Sequence, residues 1–389
     1  MWISRRLEEA LRRAARDRPA VVLTGARQVG KTSLVQRLFP KHRYVSLDLP
    51  SEAEQAERDP AAFLARHPPP LVVDEVQYAP GLFRHLKSAI DSSRMRSGQF
   101  ILTGSQSFPL MASVAESLAG RAEVLELEGV SLQELRATDS NFEWEAALLR
   151  GGFPELHEKP RLDAAAYFRS YVATYLERDV RAVLSVGSLR DFERFLRVCA
   201  LRSAQLLNKA ELARDVGISP PTASQWLSVL EASHQVYLLE PWFSNRTRSL
   251  VKTPKLFLCD TGLLCHLLGI RAKEELLHSP LVGAVWETFV CSELRRALKN
   301  EGRVGELFYW RDRGREVDFL LHQGGRFQLL EAKWTEHPDP RETGGLKTVA
   351  SQLPRGSVRR QAIICRAHHA HPLGEEAEAW SATDMAERI

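Results

Sequence analysis

The sequence predicts an α/β protein that opens with a parallel, doubly wound sheet and continues through a helical segment into a second α/β domain. Three observations carry this. Short apolar runs at 20–23, 44–47, 71–73 and 100–102 alternate with helical patterns, as strands buried on both faces do. A glycine-rich turn, Gly25-Ala26-Arg27-Gln28-Val29-Gly30-Lys31-Thr32, separates the first run from a helix. Helical periodicity then dominates 161–232 before β-like runs return in the last third.

Taken in order, residues 5–16 read as an amphipathic helix, with Leu7 and Leu11 one turn apart and Arg and Glu opposite. The apolar runs follow as strands, and Pro68-Pro69-Pro70 is a stiff lead-in to the third. Gly151-Gly152-Phe153-Pro154 reads as punctuation that ends a first domain at 1–150. Helices, short β-like runs and loops fill a second domain, 151–258. The third, 259–389, carries a helix over 283–298 and β patterns at 307–310, 316–321 and 327–332. The chain has no internal repeat and no low-complexity tract.

Composition narrows the class. The chain has 389 residues, a net charge of +4, 44% hydrophobic and 26% charged residues, ordinary values for a soluble globular protein of several domains. So small a positive charge points only weakly to polyanions. The N-terminus lacks an apolar signal core, and no apolar stretch reaches the ~20 residues of a membrane helix. The five cysteines are odd in number and scattered, without a CxxC pair, which points to a reduced cytoplasm without structural zinc.

The pattern Gly25-x4-Gly30-Lys31-Thr32, set between a strand and a helix, predicts a nucleoside triphosphate site, with ATP and Mg²⁺ as the expected ligands. Gly25, Ala26, Arg27, Gln28, Val29 and Gly30 would turn backbone N–H groups toward the phosphates, and Lys31, Thr32 and Ser33 open the helix whose dipole favours them. Lys31 neutralises the β/γ-phosphates, and the Thr32 hydroxyl ligates Mg²⁺. The strand at 71–73 ends in Asp74, a second contact to the metal, and Glu75, a general base for the attacking water. After the strand at 100–102, Thr103 and Ser105 both suit a polar sensor of the γ-phosphate, and the sequence does not choose between them. Arg121 suits an arginine finger acting on a neighbouring copy in a homo-oligomer, or a surface ion pair.

A second motif lies at 208–230. Asn208 and Glu211 resemble a capping box, Gly217 suits a left-handed helix end, and Ser219 with Pro220 starts the next helix. Ala223, Trp226, Leu227 and Leu230 form its buried stripe, leaving Thr222, Gln225 and Ser228 outward. This is a helix-turn-helix pattern. Its outward residues carry no cation, and the basic residues Arg246, Arg248, Lys252 and Lys255 follow where a wing would fall. DNA binding and packing against a protein both remain open.

The last third holds Glu287, Asp318, Glu331 and Lys333. Glu331 and Lys333, two apart on a strand, share a face, Asp318 lies on the preceding strand, and Glu287 on an upstream helix. Such carboxylates can hold a second Mg²⁺ or Mn²⁺, here at Asp318 and Glu331, with the lysine stabilising developing charge. An exposed hairpin with a Glu–Lys pair is the plain alternative.

Gly25 through Thr32, Val73-Asp74-Glu75-Val76-Gln77, Leu102-Thr103-Gly104-Ser105 and Ser117-Leu118-Ala119-Gly120-Arg121 together resemble a prokaryotic family of AAA-type ATPases. Its members carry a C-terminal domain of unknown function similar to restriction endonucleases of the PD-(D/E)xK type. The likeness continues through Gly151-Gly152-Phe153-Pro154, Tyr175-Leu176-Glu177-Arg178-Asp179, Trp286-Glu287 and Tyr309-Trp310-Arg311, and so spans nearly the whole chain. It implies an AAA-type P-loop core, a winged helix and a restriction-endonuclease-like domain, with ATP hydrolysis. Glu287, Asp318, Glu331 and Lys333 match the PD-(D/E)xK pattern. Ala26 departs from the family's usual proline, which stiffens the loop less but removes no ligand.

Two functions follow as expectations. One is an ATPase that acts on DNA, with a C-terminal domain that binds DNA and either cleaves it or does not. The other is an ATP-dependent switch for a protein partner, with a non-catalytic C-terminal module. A metabolite kinase is disfavoured by the helix-turn-helix and by the pair Asp74-Glu75.

Overall fold

The apolar runs of the first third pair into one all-parallel sheet. Its strands are β1 (Ala20–Thr24), β2 (Arg43–Ser46), β3 (Leu71–Asp74), β4 (Phe100–Thr103) and β5 (Ala122–Glu126), in the order β2-β3-β4-β1-β5. Every residue of β1, β3 and β4 is buried, whereas the edge strands β2 and β5 are partly exposed. Alternate side chains leave the sheet on opposite faces. Val22, Val73 and Leu102 join Phe83, Leu86 and Ile90 of the helix Leu82–Ser92 on one face. Val21, Leu23 and Ile101 join Leu7, Leu11 and Ala14 of the helix Leu7–Asp17 on the other. Because β4 lies between β1 and β3, the carboxyl ends of these three strands converge, where open parallel sheets bind ligands.

The computed structural model describes residues 2–105, 114, 116–138, 143–175, 189–243, 253–300, 305–312 and 314–389. Gln106, the run Leu176-Glu177-Arg178-Asp179, and Arg246, Arg248 and Lys252 lie outside them.

The chain forms two compact units: Met1–Val130 with Lys299–Gly302, and Ser131–Leu298 with Arg303–Ile389. The boundary expected at 150 therefore falls inside the second unit. The reason is burial. Leu132, Leu148 and Phe153 belong to its core, as do residues on both sides of the division expected at 258. Gly151-Gly152 is a buried clamp instead of a linker. Gly151 has φ +63°, and a Cβ there would sit 2.1 Å from Asp260 Oδ1. The Gly152 N–H donates to Asp260 Oδ2 at 2.7 Å.

Within this unit, the helices Lys209–Val216 and Pro220–Ala232 form the helix-turn-helix. Asn208 accepts from the N–H groups of Ala210 and Glu211, both at 3.2 Å. Glu211 itself pairs with Arg202 at 3.1 Å, and Gly217 ends the first helix at φ +83°. Ala223, Trp226, Leu227 and Leu230 are buried. Beside these helices, β6 (Gln205–Leu206), β7 (Val236–Leu239) and β8 (Lys255–Leu258) make an antiparallel sheet in the order β6-β8-β7.

A six-stranded mixed sheet completes the unit. Its strands are β9 (Glu306–Asp312), β10 (Arg315–Gln323), β11 (Arg326–Ala332), β12 (Val358–Cys365), β13 (His371–Pro372) and β14 (Glu378–Ser381), in the order β13-β14-β12-β11-β10-β9. β9, β10 and β11 are an antiparallel meander, while β11, β12 and β14 run parallel. The helix Val282–Asn300 covers one face through Val285, Trp286 and Phe289, and Gly344–Gln352 covers the other through Leu346 and Val349. The chain after β7 runs along β9, where Trp242 N–H donates to Tyr309 O at 2.7 Å.

Among the described residues, no helix is long and apolar enough to cross a membrane. The five cysteines form no disulfide.

Candidate functional site

The loop Gly25–Thr32 wraps the carboxyl end of β1, and its shape depends on glycine. Gly25 has φ +139°, and a Cβ there would lie 2.1 Å from the Leu127 carbonyl oxygen. Gly30, at φ +93°, turns the chain into the helix Lys31–Leu38. The Lys31 ammonium is folded into the loop, donating to the carbonyls of Gly25 (2.9 Å) and Ala26 (2.7 Å). A phosphate presents stronger acceptors than these carbonyls, and the ammonium lies beside the place where it would meet one.

Asp74, at the end of β3, is 4% exposed and is surrounded by hydroxyls. Thr32 Oγ1 donates at 2.9 and 3.1 Å to its two oxygens, Tyr44 Oη donates at 2.7 Å, and Thr103 Oγ1 donates to Oδ1. Burial, then the hydrogen bond to Asp74, pushes the Tyr44 phenol well above its ordinary range, so it remains a donor. A carboxylate beside a threonine hydroxyl at a helix N-terminus is the donor set that Mg²⁺, bound mainly through phosphates and water, requires. These residues fit the metal.

Glu75 adopts φ +56°, a costly conformation for a non-glycine residue, and its backbone N–H donates to Thr103 Oγ1 at 3.2 Å. Its carboxylate accepts from Ser105 Oγ at 3.1 Å and from the Gln77 amide. The two sensor candidates thus divide by carboxylate: Thr103 donates to that of Asp74, and Ser105 to that of Glu75. Arg121 makes a two-pronged ion pair with Asp91, at 2.7 and 2.9 Å. Tyr44 escaped the sequence reading, because a tyrosine in an apolar run carries no motif of its own, and Gln77, though part of Val73-Asp74-Glu75-Val76-Gln77, had no role assigned to it.

In the second unit, Glu287 projects from the helix Val282–Asn300, Asp318 from β10 and Glu331 from β11, with Lys333 just beyond. Asp318 stands at the centre. Its Oδ2 accepts the Ala332 N–H at 3.0 Å, and its charge acts on Glu287, Glu331 and Lys333. Lys333 Nζ lies 2.9 Å from Glu331 Oε1.

The centre of the cluster is held by a residue expected elsewhere. Lys255, which the sequence assigned to a basic wing, is 3% exposed at the start of β8. Its ammonium lies 2.8 Å from Glu287 Oε1 and 3.3 Å from Asp318 Oδ1, and also contacts Glu316. Burial alone would lower its pKa, but the charges of Asp318, Glu287 and Glu316 outweigh this and raise it above the usual lysine range. Burial, reinforced by Asp318, pushes Glu287 up to about 8 and Glu331 up to about 7. Among the described residues, no three His, Cys, Asp or Glu side chains are disposed to hold a metal ion. A metal at Asp318 and Glu331 would have to share Asp318 with the Lys255 ammonium, which lies 3.3 Å from Asp318 Oδ1. A divalent ion about 4 Å from the ammonium would be repelled by on the order of 8 kcal/mol at an effective dielectric of ~20. The clue in the sequence was a lysine opening the buried run Lys255-Leu256-Phe257-Leu258, since a lysine so placed needs a partner.

The chain is 32% identical over 379 residues to the uncharacterized proteins Mb2031c of Mycobacterium bovis and Rv2008c of Mycobacterium tuberculosis, covering 96% of this chain and 83% of theirs. The chain belongs to their family. Residues 17–136 match an AAA domain, so the unit bearing Lys31, Asp74 and Glu75 is an AAA-type P-loop ATPase domain. Residues 141–274 and 282–385 match two domains of unknown function, DUF8612 and DUF4143. Among solved structures, a Walker-type ATPase, paby2304 of Pyrococcus abyssi, is 17% identical, covers 67% of this chain and 94% of its own, and has a TM-score of 0.47. The RuvB Holliday junction branch migration motor of Thermotoga maritima is 18% identical over 59% of this chain and 85% of its own, with a TM-score of 0.31. At these TM-scores the two structures carry no inference about this chain.

Proposed function

We propose that this chain hydrolyses Mg-ATP at the Lys31–Asp74–Glu75 site and uses the cycle to act on DNA through its second unit. The observation that carries the hydrolytic part is the placement of Glu75. Ser105 and Gln77 fix its carboxylate, one residue beyond an Asp74 already joined to Thr32. In this reading Lys31 leaves the Gly25 and Ala26 carbonyls for the phosphates, and backbone N–H groups of Gly25 through Ser33 bind phosphate oxygens. Glu75 accepts the proton of the attacking water, while Thr103 and Ser105 keep the two carboxylates apart and oriented. Magnesium, held by Thr32 and Asp74, supplies charge neutralisation at the phosphates. A trans role for Arg121 in a homo-oligomer requires Asp91 to release it.

The DNA part rests on the helix-turn-helix, read as a winged helix with β7 and β8, and on an endonuclease-like reading of the six-stranded sheet. Gln225 and Ser228 are exposed on the second helix and Thr222 half-buried, side chains suited to base edges but not to phosphates. That lack of cations favours a second reading, in which ATP switches the chain toward a protein partner and the C-terminal region is a non-catalytic module.

Phosphate release measured with single-stranded, duplex and branched DNA separates the two. The DNA reading expects DNA to raise turnover and to bind with a steep salt dependence. Turnover indifferent to every DNA form, with no salt-dependent affinity, leaves the protein-switch reading. Absence of any Glu75-dependent turnover removes the hydrolytic reading, and absence of ATP binding removes both.

A further inference from the structure

We propose that Lys255 is the resident cation of the second acidic cluster, its ammonium held among Glu287, Glu316 and Asp318 and keeping divalent ions out. An ammonium has three N–H donors, and here three carboxylates from two elements surround it. The Tyr309 ring, with its centroid 5.7 Å away, lies against the same ammonium. The backbone of Lys255 is fixed as well. It pairs with Leu206 of β6 on one side and Leu239 of β7 on the other, so it is not carried on a loop that swings away.

The neighbouring acids are also occupied by cations. Lys333 holds Glu331 at 2.9 Å, and Arg311 reaches Glu316 at 3.6 Å. Three basic side chains thus face the four acids Glu287, Glu316, Asp318 and Glu331, leaving little of the negative charge that draws a divalent ion out of water. The cluster is a charge-compensated joint between the helix Val282–Asn300, β8 and β10. Any contact of this unit with DNA then does not depend on metal at this place. The inference stands apart from the ATPase reading, because none of its residues belongs to the nucleotide site.

The test is a Mn²⁺ titration of the nucleotide-free full chain, reading free Mn²⁺ by electron paramagnetic resonance. Wild type and Asp318→Asn are expected to give superimposable isotherms. Lys255→Ala is expected to gain one bound Mn²⁺ per chain, and Lys255→Ala with Asp318→Asn to lose it. The melting temperature of Lys255→Ala should rise by roughly 5–10 °C at a Mn²⁺ concentration about a hundredfold above Kd, with no matching rise in wild type. A wild-type Mn²⁺ site that Asp318→Asn removes overturns the proposal, and so does a folded Lys255→Ala chain that binds no Mn²⁺. If Lys255→Ala does not fold, the comparison of wild type with Asp318→Asn decides by itself. ATP turnover does not enter, so failure here leaves the ATPase reading where it was.

Discussion

The two acidic clusters of this chain are built on the same principle and completed differently. Each gathers carboxylates beside a sheet, Asp74 and Glu75 at a strand end in the first unit, and Glu287 of a helix with Asp318 and Glu331 of two strands in the second. The first is held by neutral donors, the hydroxyls of Thr32, Tyr44, Thr103 and Ser105 and the amide of Gln77. The second is held by the ammonium groups of Lys255 and Lys333. A hydroxyl orients a carboxylate without cancelling its charge, which stays available to a cation. An ammonium orients and neutralises at once. Acid clusters of similar appearance in sequence therefore differ in chemistry according to a partner that no acid-based motif includes.

The largest effect expected on this comparison is at the phosphate loop. Lys31→Ala should bring ATP turnover to background, measured as phosphate release, while far-ultraviolet circular dichroism shows the fold intact. Glu75→Gln should lower turnover by on the order of 10²–10⁴ while ATP still binds, as a fluorescent ATP analogue would report. Retained turnover in either variant breaks the assignment of the first cluster.

In the second cluster the expected effect is on stability. Lys255→Ala leaves three carboxylates without their shared ammonium and should cost roughly 3–5 kcal/mol in metal-free denaturant unfolding. The corresponding deletion in the first cluster is milder. Tyr44→Phe removes one neutral donor to Asp74, worth about 1 kcal/mol, or roughly a fivefold change in the KM for Mg-ATP. If Tyr44→Phe proved as destabilising as Lys255→Ala, the contrast between hydroxyl-held and ammonium-held acids would be lost.

Much of the first unit was legible because its strands are buried on both faces and read as continuous apolar runs, and because the P-loop pattern is set by backbone geometry. The edge strand β5, Ala122-Glu123-Val124-Leu125-Glu126, mixes exposed and buried positions and gave no such run. β12 and β14 were likewise not foreseen, although Ala362, Ile363 and Ile364 are fully buried. Gly151-Gly152 has the composition of a linker, which is why 150 reads as a boundary, yet it lies inside the second compact unit. Its glycines are needed for the close approach of Asp260, a residue more than a hundred positions away. Lys255 was misassigned for the same reason: the acids that claim it are distant in sequence, and its basic neighbours in sequence suggested a wing. Glu287, Asp318, Glu331 and Lys333 were legible as a set, since strand and helix spacing fix their faces, but the cation among them was not.

The most direct measurement of the central contrast is Mn²⁺ binding in the presence of ATP, compared between Asp74→Asn and Asp318→Asn. The account predicts one ATP-dependent Mn²⁺ per chain, weakened in Asp74→Asn and unchanged in Asp318→Asn. An ATP-dependent site that survives Asp74→Asn and disappears in Asp318→Asn would contradict it.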